Sequence, residues 1–163
     1  MKKFKLTSEF IVDISGVKLF RIKALIEFGN VKAGDLGGYI EKEENLSHMG
    51  NAWVSGNAQV SGDARVSGDA RVSGNARVSG DAQVFGDARV SGDKDYAYAH
   101  GFGSCNRTTT FFRLKDGDVG VRCGCFYGTL AQFRDNVCET HGETKKAQEY
   151  LMLADLMDFR FKN

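Results

Sequence analysis

Residues 51–92 divide without gaps into seven hexapeptides: NAWVSG, NAQVSG, DARVSG, DARVSG, NARVSG, DAQVFG and DARVSG. Each unit has alanine second, valine fourth and glycine sixth. Alanine and valine two residues apart point to the same side of an extended chain, and the Trp, Gln or Arg between them points to the other. Ser-Gly-Asx then reads as a corner: glycine tolerates positive φ, and Asn or Asp bonds its own backbone. A helix is excluded, because a glycine every sixth residue costs about 1 kcal/mol each against alanine. A hairpin meander is also excluded, since strands this short have too little length to pair antiparallel. The pattern predicts a solenoid that turns a corner at every unit.

The V-S-G-D-A-R unit resembles the hexapeptide repeat of left-handed parallel β-helices. The resemblance implies that three units make one triangular coil, so that residues eighteen apart stack. Val54, Val72 and Val90 would form one inner ladder, Val60 and Val78 a second, and Val66 and Val84 a third. Outer rows would include Trp53–Arg71–Arg89 and Gln59–Arg77–Asp95. The left hand follows from the resemblance alone, because the general rule for parallel crossovers is right-handed. On the outside, Arg65, Arg71, Arg77 and Arg89 are matched in number by Asp63, Asp69, Asp81 and Asp87. This reads as a self-neutralising solvated face. The sharper alternative makes one face an oligomer or partner surface carrying these arginines with Trp53 and Phe85. Those two aromatics depart from the consensus at outward positions, and either one also has the option of packing under a cap.

Open coil ends are unpaired edges that invite aggregation, and both flanks read as caps. Upstream, FKLTSEFIVDI and VKLFRIKALIEF are strand-like and break at Ser15-Gly16. Ile40 and Leu46 fall twelve and six residues before Ala52 and extend its slots upstream. Downstream, His100–Gly103 reads as an exit loop, Thr108–Lys115 and Val119–Phe126 as strands around Asp116-Gly117. Thr129-Leu-Ala-Gln132 is a capping box opening a helix that ends at Gly142. A second helix spans Lys145 to Asp158 with Ala147, Tyr150, Leu151, Ala154 and Met157 inward. The fold class is therefore mainly β: a left-handed parallel β-helix of about three coils, a β cap over 1–37, the coil over 38–100 and a ββαα unit over 101–163.

FGNVKAGDLGGYIEKEENLSHMGNAWV and KDGDVGVRCGCFYGTLAQFRDNVCETHG are similar to segments of phage and prophage hexapeptide-repeat proteins often labelled polymer-forming cytoskeletal proteins. That family brings no catalytic residues with it. Acyl transfer, frequent among β-helix proteins, resembles this chain in fold only. It needs a histidine general base at a subunit interface, and residues 51–92 contain no His. Cys123, Cys125, Cys138 and His141 spell C-x-C-x12-C-x2-H, soft ligands of the kind zinc takes, in a spacing that matches no standard zinc motif. No cofactor is expected. No glycine loop has the spacing of a phosphate cradle. The net charge of +1 exerts no general pull on nucleic acid or anionic membrane.

Ser8, Glu9 and Asp13 interrupt any apolar run near the start, and no apolar stretch has the length of a spanning helix. With no secretion signal, Cys105, Cys123, Cys125 and Cys138 read as reduced thiols in a cytoplasmic protein. The functional expectation is a non-enzymatic homotrimer, phage-encoded, that sequesters or inhibits a host component such as a CRISPR effector. The rivals are a sponge for a signalling nucleotide in intersubunit clefts, a filament-forming structural protein and an acyltransferase.

Overall fold

The computed structural model describes residues 2–103 and 107–162. Two strands, β1 (Phe4–Val12) and β2 (Lys18–Ala24), form an antiparallel hairpin that turns at Gly16, where φ is 90°. A third, β3 (Leu36–Ile40), pairs antiparallel with β2 on one edge and parallel with the repeat on the other. The repeat then contributes two-residue strands, one per hexapeptide: β4 (Trp53–Val54), β5 (Gln59–Val60), β6 (Arg65–Val66), β7 (Arg71–Val72), β8 (Arg77–Val78), β9 (Gln83–Val84) and β10 (Arg89–Val90).

These strands pair in parallel with the partner three units away. Trp53 faces Arg71 and Arg71 faces Arg89, Gln59 faces Arg77, and Arg65 faces Gln83. Three rows result: β4-β7-β10, β6-β9, and a row in which β1-β2-β3 continues into β5-β8. The repeat alanines and valines are all buried in one core with Phe4, Ile22, Ile40 and Leu46. The corners need glycine: Gly68 sits at φ +70°, and a Cβ there would stand 2.8 Å from the Gly86 nitrogen. One very short strand per hexapeptide is thus what the spacing predicted, and parallel pairing eighteen residues apart is what the resemblance implied.

The lead-in differs from the sequence reading. Ile40 pairs with Val60 and Leu46 bridges to Val66, so both occupy valine positions rather than alanine slots. The offset is twenty residues here and eighteen inside the repeat. Two extra residues between Leu46 and Val54 absorb the difference. Counting back in sixes from Ala52 cannot detect such an insertion.

The C-terminal unit also carries more sheet than expected. It is a four-stranded antiparallel sheet in the order β11 (Tyr96–His100), β12 (Thr108–Arg113), β13 (Val119–Cys123), β14 (Phe126–Thr129). Two helices follow, α1 (Leu130–His141) and α2 (Lys145–Phe161). Thr129 caps α1 through the predicted box with Gln132, and Gly142 ends it. Helix α2 runs three residues past Asp158 and buries Phe161, while Leu151 is only partly buried. A second core forms where Phe111, Val121, Phe133, Val137, Tyr150 and Ala154 meet.

Both ends of the solenoid are capped, and the direction of the ladder dictates how. Within it, the ladder N–H groups donate to carbonyls of the following coil, as in Trp53 N to Ala70 O at 3.1 Å, while the alanine N–H groups turn back to the carbonyl three residues earlier, as in Ala58 N to Ser55 O at 3.2 Å. Carbonyls are therefore left over at the first coil and N–H groups at the last, and buried backbone groups must find partners. Donors cap the first end: the Lys3 ammonium bonds Ala52 O at 2.7 Å, and the Asn45 amide bonds Ala64 O at 2.8 Å. Acceptors cap the last: Asp93 takes Arg77 N–H at 2.7 Å, Thr110 Oγ1 takes Gln83 N–H at 2.9 Å, and Asp95 takes Ser91 N–H at 2.9 Å.

Candidate partner-binding face

The two aromatic departures from the repeat are not free surface. Trp53 is 4% exposed and lies edge-on to Phe28, 5.3 Å between ring centres. Phe85 is half-buried, edge-on to Tyr127 at 5.0 Å, with the Arg122 guanidinium 4.3 Å above its ring. Each aromatic is the point where one flank is fastened to the solenoid. The reading of Trp53 and Phe85 as a partner surface is corrected accordingly: an aromatic in an outward row of a solenoid offers a large apolar face, and the nearest chain covers it.

The four arginines occupy three different rows and do not converge within the chain. Arg71 and Arg89 share one row. Both are half-buried; Arg71 bonds Asn30 Oδ1 at 2.5 Å, and Arg89 bonds the carbonyl of Asp69 at 3.0 Å. Arg77 lies in the β5-β8 row beside the hairpin tip, where Val12, Ile14 and Gln59 join it around a hollow of about 420 Å³. Arg65 stands in the β6-β9 row opposite Gln83, and both are exposed.

Self-neutralisation also works differently from the expected pairing inside the repeat. Among the described residues, the ion pairs of the repeat aspartates run to the flanks, Asp63 to Lys42 at 2.7 Å and Asp87 to Lys115 at 3.9 Å, and His100 Nδ1 lies 4.0 Å from an Asp81 carboxylate oxygen. The Lys42 ammonium holds the Asp63 carboxyl below the usual carboxylate range, and Asp63 in turn raises Lys42.

Those pairs frame the β6-β9 row. One hollow of about 250 Å³ is lined by Lys42, Glu44, Asp63, Arg65, Asp81 and Gln83. A second, of about 390 Å³, lies next to it between Glu43, Glu44, His48 and Arg65. Glu43 is held below its ordinary value first by its hydrogen bond from Lys2 and then by that from His48. Side chains in the other two rows are mostly covered: Trp53 is buried, Gln59, Arg71 and Arg89 are half-buried, and Arg77 alone of these five is exposed. The β6-β9 row is thus an open face of mixed charge, with Arg65 lining both of its hollows.

The cysteine reading changes on two counts. Cys123 closes β13, Gly124 turns the chain at φ 59°, and Cys125 follows outside the strand. The two thiols do not share a strand face; Cys123 is buried and Cys125 exposed. Thr109 Oγ1 donates to Cys123 Sγ at 3.2 Å. Cys123, Cys125 and His141 line one cavity of about 470 Å³ with Arg107, whereas Cys138 is exposed on α1 and does not join them. Among the described residues, no group of three His, Cys, Asp or Glu side chains is placed to hold a metal ion. Cys105 lies outside the described residues. Also among them, no helix is long and apolar enough to cross a membrane.

Against known proteins, residues 58–72, 70–82 and 82–93 match the family model described as the YdcK β-solenoid repeat. No curated protein matches the chain. The middle of this chain is therefore similar to a β-solenoid repeat protein.

Proposed function

We propose that this chain is a non-enzymatic binding protein whose partner is another protein, engaged through the β6-β9 face. The single observation that carries this reading is that Arg65 and Gln83 stay exposed in a concave, charge-framed row while the side chains of the other rows are mostly covered. Mixed charge gives specificity and steering toward a surface of complementary pattern rather than toward a polyanion. In this reading the solenoid is left-handed, has about three coils and assembles as a homotrimer. A core of alanine and valine buries little apolar area per coil, so self-association adds stability. The resemblance to phage repeat proteins makes a host component the partner we put first, with an antiviral defence protein as its most specific form. The capped coil ends speak against a filament built by stacking coils.

The test pairs light scattering with affinity capture. A trimer gives one species whose mass is a whole multiple of three chains; a polydisperse series favours the filament. Arg65→Glu reverses a charge of the face at an exposed position. It is expected to weaken capture of host protein at least tenfold while leaving the melting temperature unchanged. Capture that survives both Arg65→Glu and Gln83→Lys moves the contact away from this face. Bound nucleotide released from the purified protein favours the sponge instead.

A further inference from the structure

Helix α2 is apolar on two opposite sides. Ala147, Tyr150, Ala154, Met157 and Phe161 face the core. On the other side Met152 is 70% exposed and Phe159 79%, with exposed Leu156 between them. Glu149, Met152, Leu156 and Phe159 are spaced three, four and three apart, the a/d spacing of a helix seam that packs against a second helix. The exposed apolar area is on the order of 400 Å², the size of the largest apolar patch on a typical monomer, which is often functional.

The same stripe holds a groove and a knob. Phe102, Glu149, Met152, Leu153 and Leu156 line a hollow of about 400 Å³. Its wall is fixed, because Gly103 N–H donates to Glu149 Oε1 at 2.8 Å and holds Phe102 alongside the helix. Phe159 projects from the next turn, beyond the groove.

We infer that the occupant of this groove is a second copy of the chain, with the two α2 helices antiparallel across a two-fold axis between Asp155 and Leu156. Such an axis sets Phe159 of each copy level with Met152 of the other, so each knob enters the other's groove. It sets Lys162, the residue that ends the helix and lies 3.6 Å from its own Asp158, level with the other copy's Glu149, bringing opposite charges together at both ends of the seam. A parallel arrangement would place Glu149 against Glu149. Near the axis the two Asp155 carboxylates come close, and each is already paired with its own Arg134 at 2.9 Å. With Phe102 on both sides the contact buries roughly 1,000 Å², where specific interfaces begin. A single patch meeting itself across a two-fold is self-complementary, so each such contact closes at one pair of helices.

The experiment is light scattering on the full chain and its variants at Met152 and Phe159, both exposed positions where a charge leaves the fold intact, as circular dichroism checks. Wild type is expected at an even number of chains. Met152→Glu and Phe159→Arg are each expected to halve that mass. Combining them sets the introduced carboxylate of each copy against the introduced guanidinium of the other, twice across the axis, and the double variant is expected to recover the wild-type mass. An odd number of chains for wild type, single variants that keep the wild-type mass, or a double variant that stays at half mass would each overturn the pairing. The trimer is judged separately: the half-mass variants weigh three chains if it holds and another number if it does not.

Discussion

Lys3 shows how much one side chain decides at the end of a ladder. It is 1% exposed, with its ammonium on two carbonyls and 4.5 Å from the centre of the Phe28 ring. Burial, followed by the nearby Arg71 charge, lowers its pKa from 10.5 to about 8. The folded value lies below the unfolded one, so the charge costs stability wherever both states hold the proton, below pH 8. Between pH 8 and 10.5 the unfolded chain keeps the proton that the folded chain gives up, and stability rises with pH. Lys3→Met removes this titration and leaves the Ala52 and Gly50 carbonyls without their donor, a cost of about 1–3 kcal/mol. Denaturant titrations of both proteins from about pH 7 to 10.5 should show the gap widening in favour of wild type above pH 8. A constant gap would mean that the buried group does not titrate there. In the sequence Lys3 looks like any positive residue near a start; only the carbonyls at the first coil end give it a task.

At the scale of elements, the repeat positions that break the consensus are where non-repeating chain is attached. A β-solenoid row of Arg and Gln gives the hairpin or the C-terminal sheet no apolar hold, so Trp53 and Phe85 supply it. Trp53→Ala is expected to cost about 3–5 kcal/mol, as for other buried aromatics, read as a lower denaturation midpoint. Phe85→Ala, half-buried and carrying a cation–π contact with Arg122, should cost about 1–3 kcal/mol. Its effect should be local: hydrogen exchange should speed up in β12–β14 and leave β4–β8 protected. Uniform acceleration would mean that the C-terminal unit and the solenoid unfold as one. Strand existence in the repeat, the capping box at Thr129 and the end of α1 at Gly142 were legible because each is a local pattern. β11 and β14 were not, because His100 reads as the start of an exit loop and Phe126 as the end of the preceding strand until β12 and β13 offer them edges.

At the scale of the molecule, capping of the two ends separates a bounded solenoid from an open one. Truncation after Asp93 removes Asp95, Thr110 and Tyr127 and bares the N–H groups of the last coil. The truncated chain is expected to aggregate in size-exclusion runs where the full chain gives a discrete peak. A discrete, folded truncated species would show that the last coil needs no cap. The amino-acid sequence alone determined the unit, its very short strand and its corner, since a six-residue period with glycine corners leaves the backbone few other choices, and the stacking of residues eighteen apart followed from the resemblance those units carry. The tertiary structure decided which rows of the solenoid stay open, where the register slips by two residues before Val54, and which aromatics are covered. These depend on where distant chain comes to rest, and that contact energy is absent from any single hexapeptide.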